Sequence, residues 1–188
     1  MIDSKTVKLV AKETLQWNER RKWNSRGKER FRACFGASSS IVAALWNKIS
    51  KQQIQCGGEL KHLLWVLVFL KVYSTVEIHC SIVGWPSDKS FSKWLWYFVE
   101  KIAALKDEVI HLDNRFEGLD AVVSTNCFIS VDGTDCPVFK PWPFSKKMYS
   151  HKLNGPGLKY EVAVCLKTGQ IVWISGPFVG SKTDSTIF

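Results

Sequence analysis

The sequence predicts an α+β chain: a helical first part, then a part that opens with three β-strands. Three observations predict it. Residues 59–73 are apolar nearly all round, the composition of a helix at the centre of a bundle. Phe91, Leu95, Phe98, Ile102, Leu105 and Val109 recur at helical spacing over residues 88–109. Residues 127–132 alternate, with Phe128, Ser130 and Asp132 on one face and Ile129 and Val131 on the other, and two further β-runs follow.

In chain order, residues 3–24 carry Val7, Leu9, Val10, Leu15 and Trp17 among many charges, which predicts a helix with one modest apolar stripe. Asn24-Ser-Arg-Gly27 is expected to break it. Ser38-Ser-Ser40 supplies N-cap candidates for a helix through Ile49, with Ile41, Val42, Leu45, Trp46 and Ile49 on one side. Gly57-Gly58 ends that element, and Glu59–Tyr73 is the central helix. Thr75–Val83 reads as a short helix, Gly84-Trp-Pro-Ser87 as a turn, and Asp88–Val109 as a long helix.

Short helix, turn and longer helix is the shape of a helix-turn-helix-like unit. Its second helix presents Lys89, Ser90, Lys93 and Trp96 near its start. An ordinary helical bundle has the same outline, so both readings stand at this level. Asn114–Asp120 is turn-rich and marks the boundary. The expected organisation is a basic N-terminal arm or helix (1–33), a helical module (34–118) and a mixed domain (119–188).

In the last part, residues 127–132 form the first strand, and Asp132-Gly133-Thr134 is read as the turn that ends it. Tyr160–Leu166 and Ile171–Ser175 form a hairpin around Lys167-Thr-Gly-Gln170. An acid at the end of an apolar strand is costly to place unless something pairs with it. A divalent metal ion is one such partner; a plain Asp-Gly turn is the other reading. Between the strands, Lys140, Lys146, Lys147, His151 and Lys152 interleave with Trp142, Phe144 and Tyr149. Cations for phosphate and rings for stacking are what single-stranded nucleic acid favours.

Composition narrows the classes. A hydrophobic fraction of 46% with nine Trp argues against disorder. The net charge of +9 suits a polyanionic partner. Residues 1–33 hold ten Lys/Arg against four Asp/Glu, so most of the excess sits there, on either a solvated helix face or a DNA-phosphate patch. Six cysteines at 34, 56, 80, 127, 136 and 165 form no Cys-x-x-Cys pair, which argues against zinc and for reduced thiols. The charged start Met1–Lys12 is unlike a signal peptide, and the longest apolar run, Leu63–Leu70, falls far short of the ~20 residues of a membrane span. An intracellular protein is expected.

The ordered set Asp132-Gly133-Thr134, Tyr149-Ser150, Gly169-Gln170-Ile171 and Gly180-Ser181-x-x-Asp184-Ser185-x-Ile187-Phe188 resembles the DDE-type transposases of the PIF/Harbinger group, the DDE superfamily endonucleases. The resemblance runs over residues 127–188 and, more weakly, over Arg30–Leu119. It implies a partial RNase H-like α/β domain, its first three strands, in which carboxylates hold two Mg²⁺ or Mn²⁺ ions at a DNA phosphodiester. Asp132 matches the first catalytic Asp. The family's second Asp, in a Gly-Asp-x-x-Tyr segment, and its later Glu have no counterpart up to Phe188. The expectation is therefore a fragment that neither cuts nor joins DNA. Asp184 matches the Asp-Ser position and is a second candidate metal ligand. The family usually has His after Asp-Gly-Thr, where this chain has Asp135. Lys89, Lys93, Lys146, Lys147 and Lys152 are the DNA-binding candidates. The resemblance implies DNA as partner and nuclear location, and leaves room for a separate Myb-like DNA-binding protein. A non-enzymatic DNA-binding protein and an inert truncated relic are the alternatives.

Overall fold

The computed structural model describes residues 1–17, 25–51, 54–72, 74–116, 127–140 and 142–183. The chain is mixed helix and antiparallel sheet, α+β as expected. It divides into two compact units, Met1–Leu105 and Lys106–Phe188.

The first unit is helical. Its helices are α1 (Ser4–Thr14), α2 (Ser25–Phe35), α3 (Ser39–Ser50), α4 (Leu60–Val72), α5 (Val76–Ile82) and α6 (Asp88–Ala103). Four of their N-termini are closed by local chemistry: the side chains of Asp3, Ser38, Thr75 and Ser87 each accept a backbone N–H of the first turn. α4 is the central element, burying Leu63, Leu64, Trp65, Val66 and Val68, and it packs against α1, α2, α5 and α6.

Three expectations are corrected. Residues 1–33 are not a separate arm: Val7 and Ala11 of α1 and Phe31 of α2 are buried in the same core as α4. Gly27 does not break a helix but lies inside α2. Phe31 and Phe35, one turn apart with ring centroids 4.5 Å from each other, are both buried, and that packing outweighs the roughly 1 kcal/mol of helix propensity lost at a glycine. The long helix predicted over 88–109 stops at Ala103; Leu105 turns into the core, and α7 (Lys106–Val109) begins the second unit.

The second unit contains β1 (Ile129–Pro137), a two-residue β2 (Tyr149–Ser150), β3 (Gly155–Cys165) and β4 (Ile171–Val179). β1, β3 and β4 are the three expected strands. β3 is central and pairs antiparallel with β1 on one side and β4 on the other. The hairpin turn falls at residues 166–170, with Gly169 at φ +71° and its N–H bonded to Cys165 O at 2.8 Å. The 3₁₀ turn Leu112–Phe116, assigned by sequence to the helical module, packs on β3 and β4. A small core of Ala163, Cys165 and Val172 lies between them, joined by Ile129 and Trp173.

Candidate functional site

Asp132 lies in the middle of β1, not at its end. Its register partner is Val162, and the ladder continues through Gly133↔Glu161 and Thr134↔Tyr160 to Pro137↔Gly157. The Asp-Gly-Thr segment is therefore extended strand, and the expected turn does not form. Among the described residues β1 has β3 as its only strand neighbour, so Asp132 stands on an edge strand. Its carboxylate is exposed and accepts the N–H of Gly133 at 2.8 Å through Oδ1. It forms no ion pair with any described residue.

The turn between β2 and β3 supplies the neighbouring cation. Lys152 Nζ donates to Gly133 O at 3.2 Å. Both backbone polar groups of Gly133 are thus held by side chains at the outer edge. Two residues on, Asp135 accepts a short hydrogen bond from the hydroxyl of Ser150, which is fully buried and also accepts the N–H of Leu153 at 3.2 Å. Asp135, where the resembled family has His, fastens β1 to β2 in this chain.

Exposed rings and cations follow β1 in the connection to β2. Phe139 is 87% and Trp142 94% exposed, two of the most open large side chains described. Lys140 lies over the Phe144 ring at 5.2 Å. Lys146 and Lys147 are exposed on a 3₁₀ turn capped by Ser145, whose Oγ accepts the Lys147 N–H at 3.4 Å. Lys147 O accepts the Ser181 N–H at 3.1 Å. Gly180 lets the chain approach there: a Cβ at Gly180 would lie 2.8 Å from Gly157 O and 2.9 Å from Met148 O.

In the first unit, α5, the turn at Gly84–Ser87 and α6 form the short helix, turn and longer helix read from sequence. Lys89, Lys93 and Trp96 are all exposed, with the Lys93 ammonium 4.6 Å from the Trp94 ring centroid. Trp85, at φ +60° in the turn, is 74% exposed. The same unit buries two imidazoles. His62 stacks on Trp94 with centroids 4.5 Å apart, and its Nδ1 accepts the Glu59 N–H at 3.0 Å. Burial, then the nearby Lys61 charge, pushes its pKa down to about 4. Burial also lowers His79, whose Nε2 accepts the Ser74 N–H at 3.0 Å. Both rings are structural acceptors, not proton donors at neutral pH.

Among the described residues no group of three or more His, Cys, Asp or Glu side chains is placed to hold a metal ion. Asp184, the second candidate ligand, lies outside the described residues. No described helix is long and apolar enough to cross a membrane. Compared with known families, curated proteins and solved structures, the chain gives no match. Sequence reasoning missed the Asp135–Ser150 link, the exposed Phe139 and a buried acid, Glu161. For Glu161 a signal exists: alternation along β3 puts it on one face with Ala163 and Cys165.

Proposed function

We propose that this chain acts on DNA as part of a DDE-type transposase or derived nuclease of the PIF/Harbinger kind. The second unit then carries the first three strands of an RNase H-like core. One observation carries the reading: an exposed Asp132 on the first strand of the antiparallel set β1–β3–β4, with Lys152 anchored one residue away and Trp142 and Phe139 open to solvent. Lys146, Lys147 and Lys152 neutralise phosphates, and the two rings stack on unpaired bases. The α5–α6 pair is the helix-turn-helix-like module, with Lys89 and Lys93 against the backbone of a duplex. On this reading the protein works in the nucleus or elsewhere inside the cell, where its DNA substrate lies.

Asp132 is a hard-oxygen ligand suited to Mg²⁺ or Mn²⁺, whose chemistry when bound is to activate an attacking oxygen and stabilise the leaving one. One carboxylate offers one or two oxygens, and a hard divalent ion takes about six. The described residues alone therefore support DNA binding and leave strand cleavage dependent on further carboxylates, Asp184 among the candidates. That arithmetic also favours a second reading, DNA binding without catalysis.

Fluorescence anisotropy with duplex and single-stranded DNA, over a series of salt concentrations, tests the binding. Affinity that falls steeply with salt is expected, and affinity indifferent to salt sinks the DNA reading. Incubation with supercoiled DNA and Mg²⁺ or Mn²⁺ is expected to give no nicking. Metal-dependent nicking that disappears in Asp132→Ala would show instead that the chain completes a catalytic site.

A further inference from the structure

The sheet has a second face, opposite Asp132. The register sets Gly133 against Glu161 and Val131 against Ala163, and on the other side of β3 it sets Ser175 against Glu161 and Trp173 against Ala163. Val131, Glu161, Ala163, Trp173 and Ser175, with Ile129 and with Leu112 of the 3₁₀ turn, line a concavity of about 390 Å³, a volume suited to a small ligand. Its walls are aliphatic and aromatic. Its polar groups are the Ser175 hydroxyl and the Glu161 carboxylate.

Glu161 is 2% exposed, lines the concavity, and has no hydrogen-bond or ion-pair partner for its side chain among the described residues. A carboxylate withdrawn from water is costly unless it is paired. Several of the unit's cations are engaged elsewhere. Arg115 donates to Leu112 O at 2.9 Å, pairs with Asp113 at 3.5 Å and lies 4.0 Å from the Phe116 ring centroid. Lys152 is on Gly133 O, and Lys182 is over Phe178. Lys159, two residues before Glu161, stands opposite Asp135. Among the described residues no cation pairs with Glu161.

We infer that this concavity binds an organic cation. The ammonium or guanidinium head sits on Glu161, with Ser175 Oγ accepting a second N–H, and the apolar stem lies against Val131, Leu112 and Trp173. The Trp173 ring adds a cation–π attraction. A neutral ligand of the same shape leaves Glu161 unpaired, so the pocket discriminates on charge.

Benzylammonium and its neutral counterpart benzyl alcohol are titrated into the full chain. Binding is read from the Trp173 indole N–H resonance, assigned with Trp173→Phe. Saturable shifts with benzylammonium are expected. Benzyl alcohol, and benzylammonium against Glu161→Gln, are each expected to bind about tenfold or more weakly, the scale of a lost charged hydrogen bond at a buried site. Val131→Lys provides an independent arm, because it places a cation on the same face: it should raise the thermal midpoint and abolish benzylammonium binding. No saturable shift, equal binding of the neutral ligand, or unchanged binding in Glu161→Gln or Val131→Lys overturns the inference. Butylguanidinium is compared with an acetylated, amidated arginine peptide. A tighter peptide assigns the cation to a partner protein's side chain, and a tighter butylguanidinium assigns it to a free small molecule.

Discussion

Lys152 donates from Nζ to the carbonyl oxygen of Gly133 at 3.2 Å, and the N–H of the same glycine is held by Asp132 Oδ1 at 2.8 Å. The outer edge of β1 is therefore closed at this point by two side chains of opposite charge. Unpaired strand edges invite association with other strands, and a lysine on the edge opposes it. The contact also fixes an ammonium beside the one carboxylate that the DNA-processing reading depends on.

Replacing Lys152 with Met should lower affinity for all DNA sequences alike and reduce the slope of log affinity against log salt by about one. Stability should change by no more than about 0.5 kcal/mol, because the side chain is exposed. Anisotropy titrations at several salt concentrations check the slope. An unchanged slope confines Lys152 to closing the strand edge.

Ser150→Ala should destabilise the second unit by about 1–3 kcal/mol, the cost of leaving buried hydrogen-bonding groups unsatisfied. The hydroxyl is fully buried and serves both the Asp135 carboxylate and the Leu153 N–H. Urea denaturation of the variant, compared with Asp135→Asn, measures it. Equal stability of Ser150→Ala and the natural chain would mean that Asp135 and Leu153 regain water without cost.

Two glycines should respond differently to alanine. At Gly180 a Cβ meets backbone at 2.8 and 2.9 Å, so Gly180→Ala forces a backbone shift costing about 1–3 kcal/mol. At Gly169 the space around a Cβ is empty, and the cost of Gly169→Ala is that of one residue at φ +71°, about 1–2 kcal/mol. Thermal melts rank the pair, and amide chemical shifts separate them. Only Gly180→Ala should move the resonances of Met148, Ser150 and Gly157.

Acid should weaken the helical unit. His62 has its folded pKa lowered from 6.5 to about 4, and His79 shifts in the same direction. Above pH 6.5 the imidazole of His62 is neutral in both folded and unfolded chains, and its contribution is fully present. As pH falls from 6.5 toward about 4 the unfolded chain takes up the proton first, so stability drops through that window. Protonation of Nδ1 would also break the bond it accepts from Glu59 N–H. Thermal midpoints followed across this range should fall, and His62→Gln should flatten the fall. Parallel curves for the two proteins would assign the acid sensitivity to other groups.

By itself the sequence determined the elements whose causes are local. Serine and threonine caps mark the starts of α3, α5 and α6, because a hydroxyl reaches only its own first turn. The apolar girth of residues 60–72 placed α4 at the centre, and the Lys-Thr-Gly-Gln turn fixed the β3–β4 hairpin. Tertiary structure decided what depends on partners distant in the chain. Gly27 stays helical because Phe31 and Phe35 reach the core. Asp132-Gly133-Thr134 stays extended because β3 offers a continuous ladder to Pro137, so a local turn preference yields to inter-strand hydrogen bonds. The register then sends Asp132 to one face and Glu161 to the other. A one-residue slip would exchange the faces, and no stretch of sequence shorter than the paired strands specifies it.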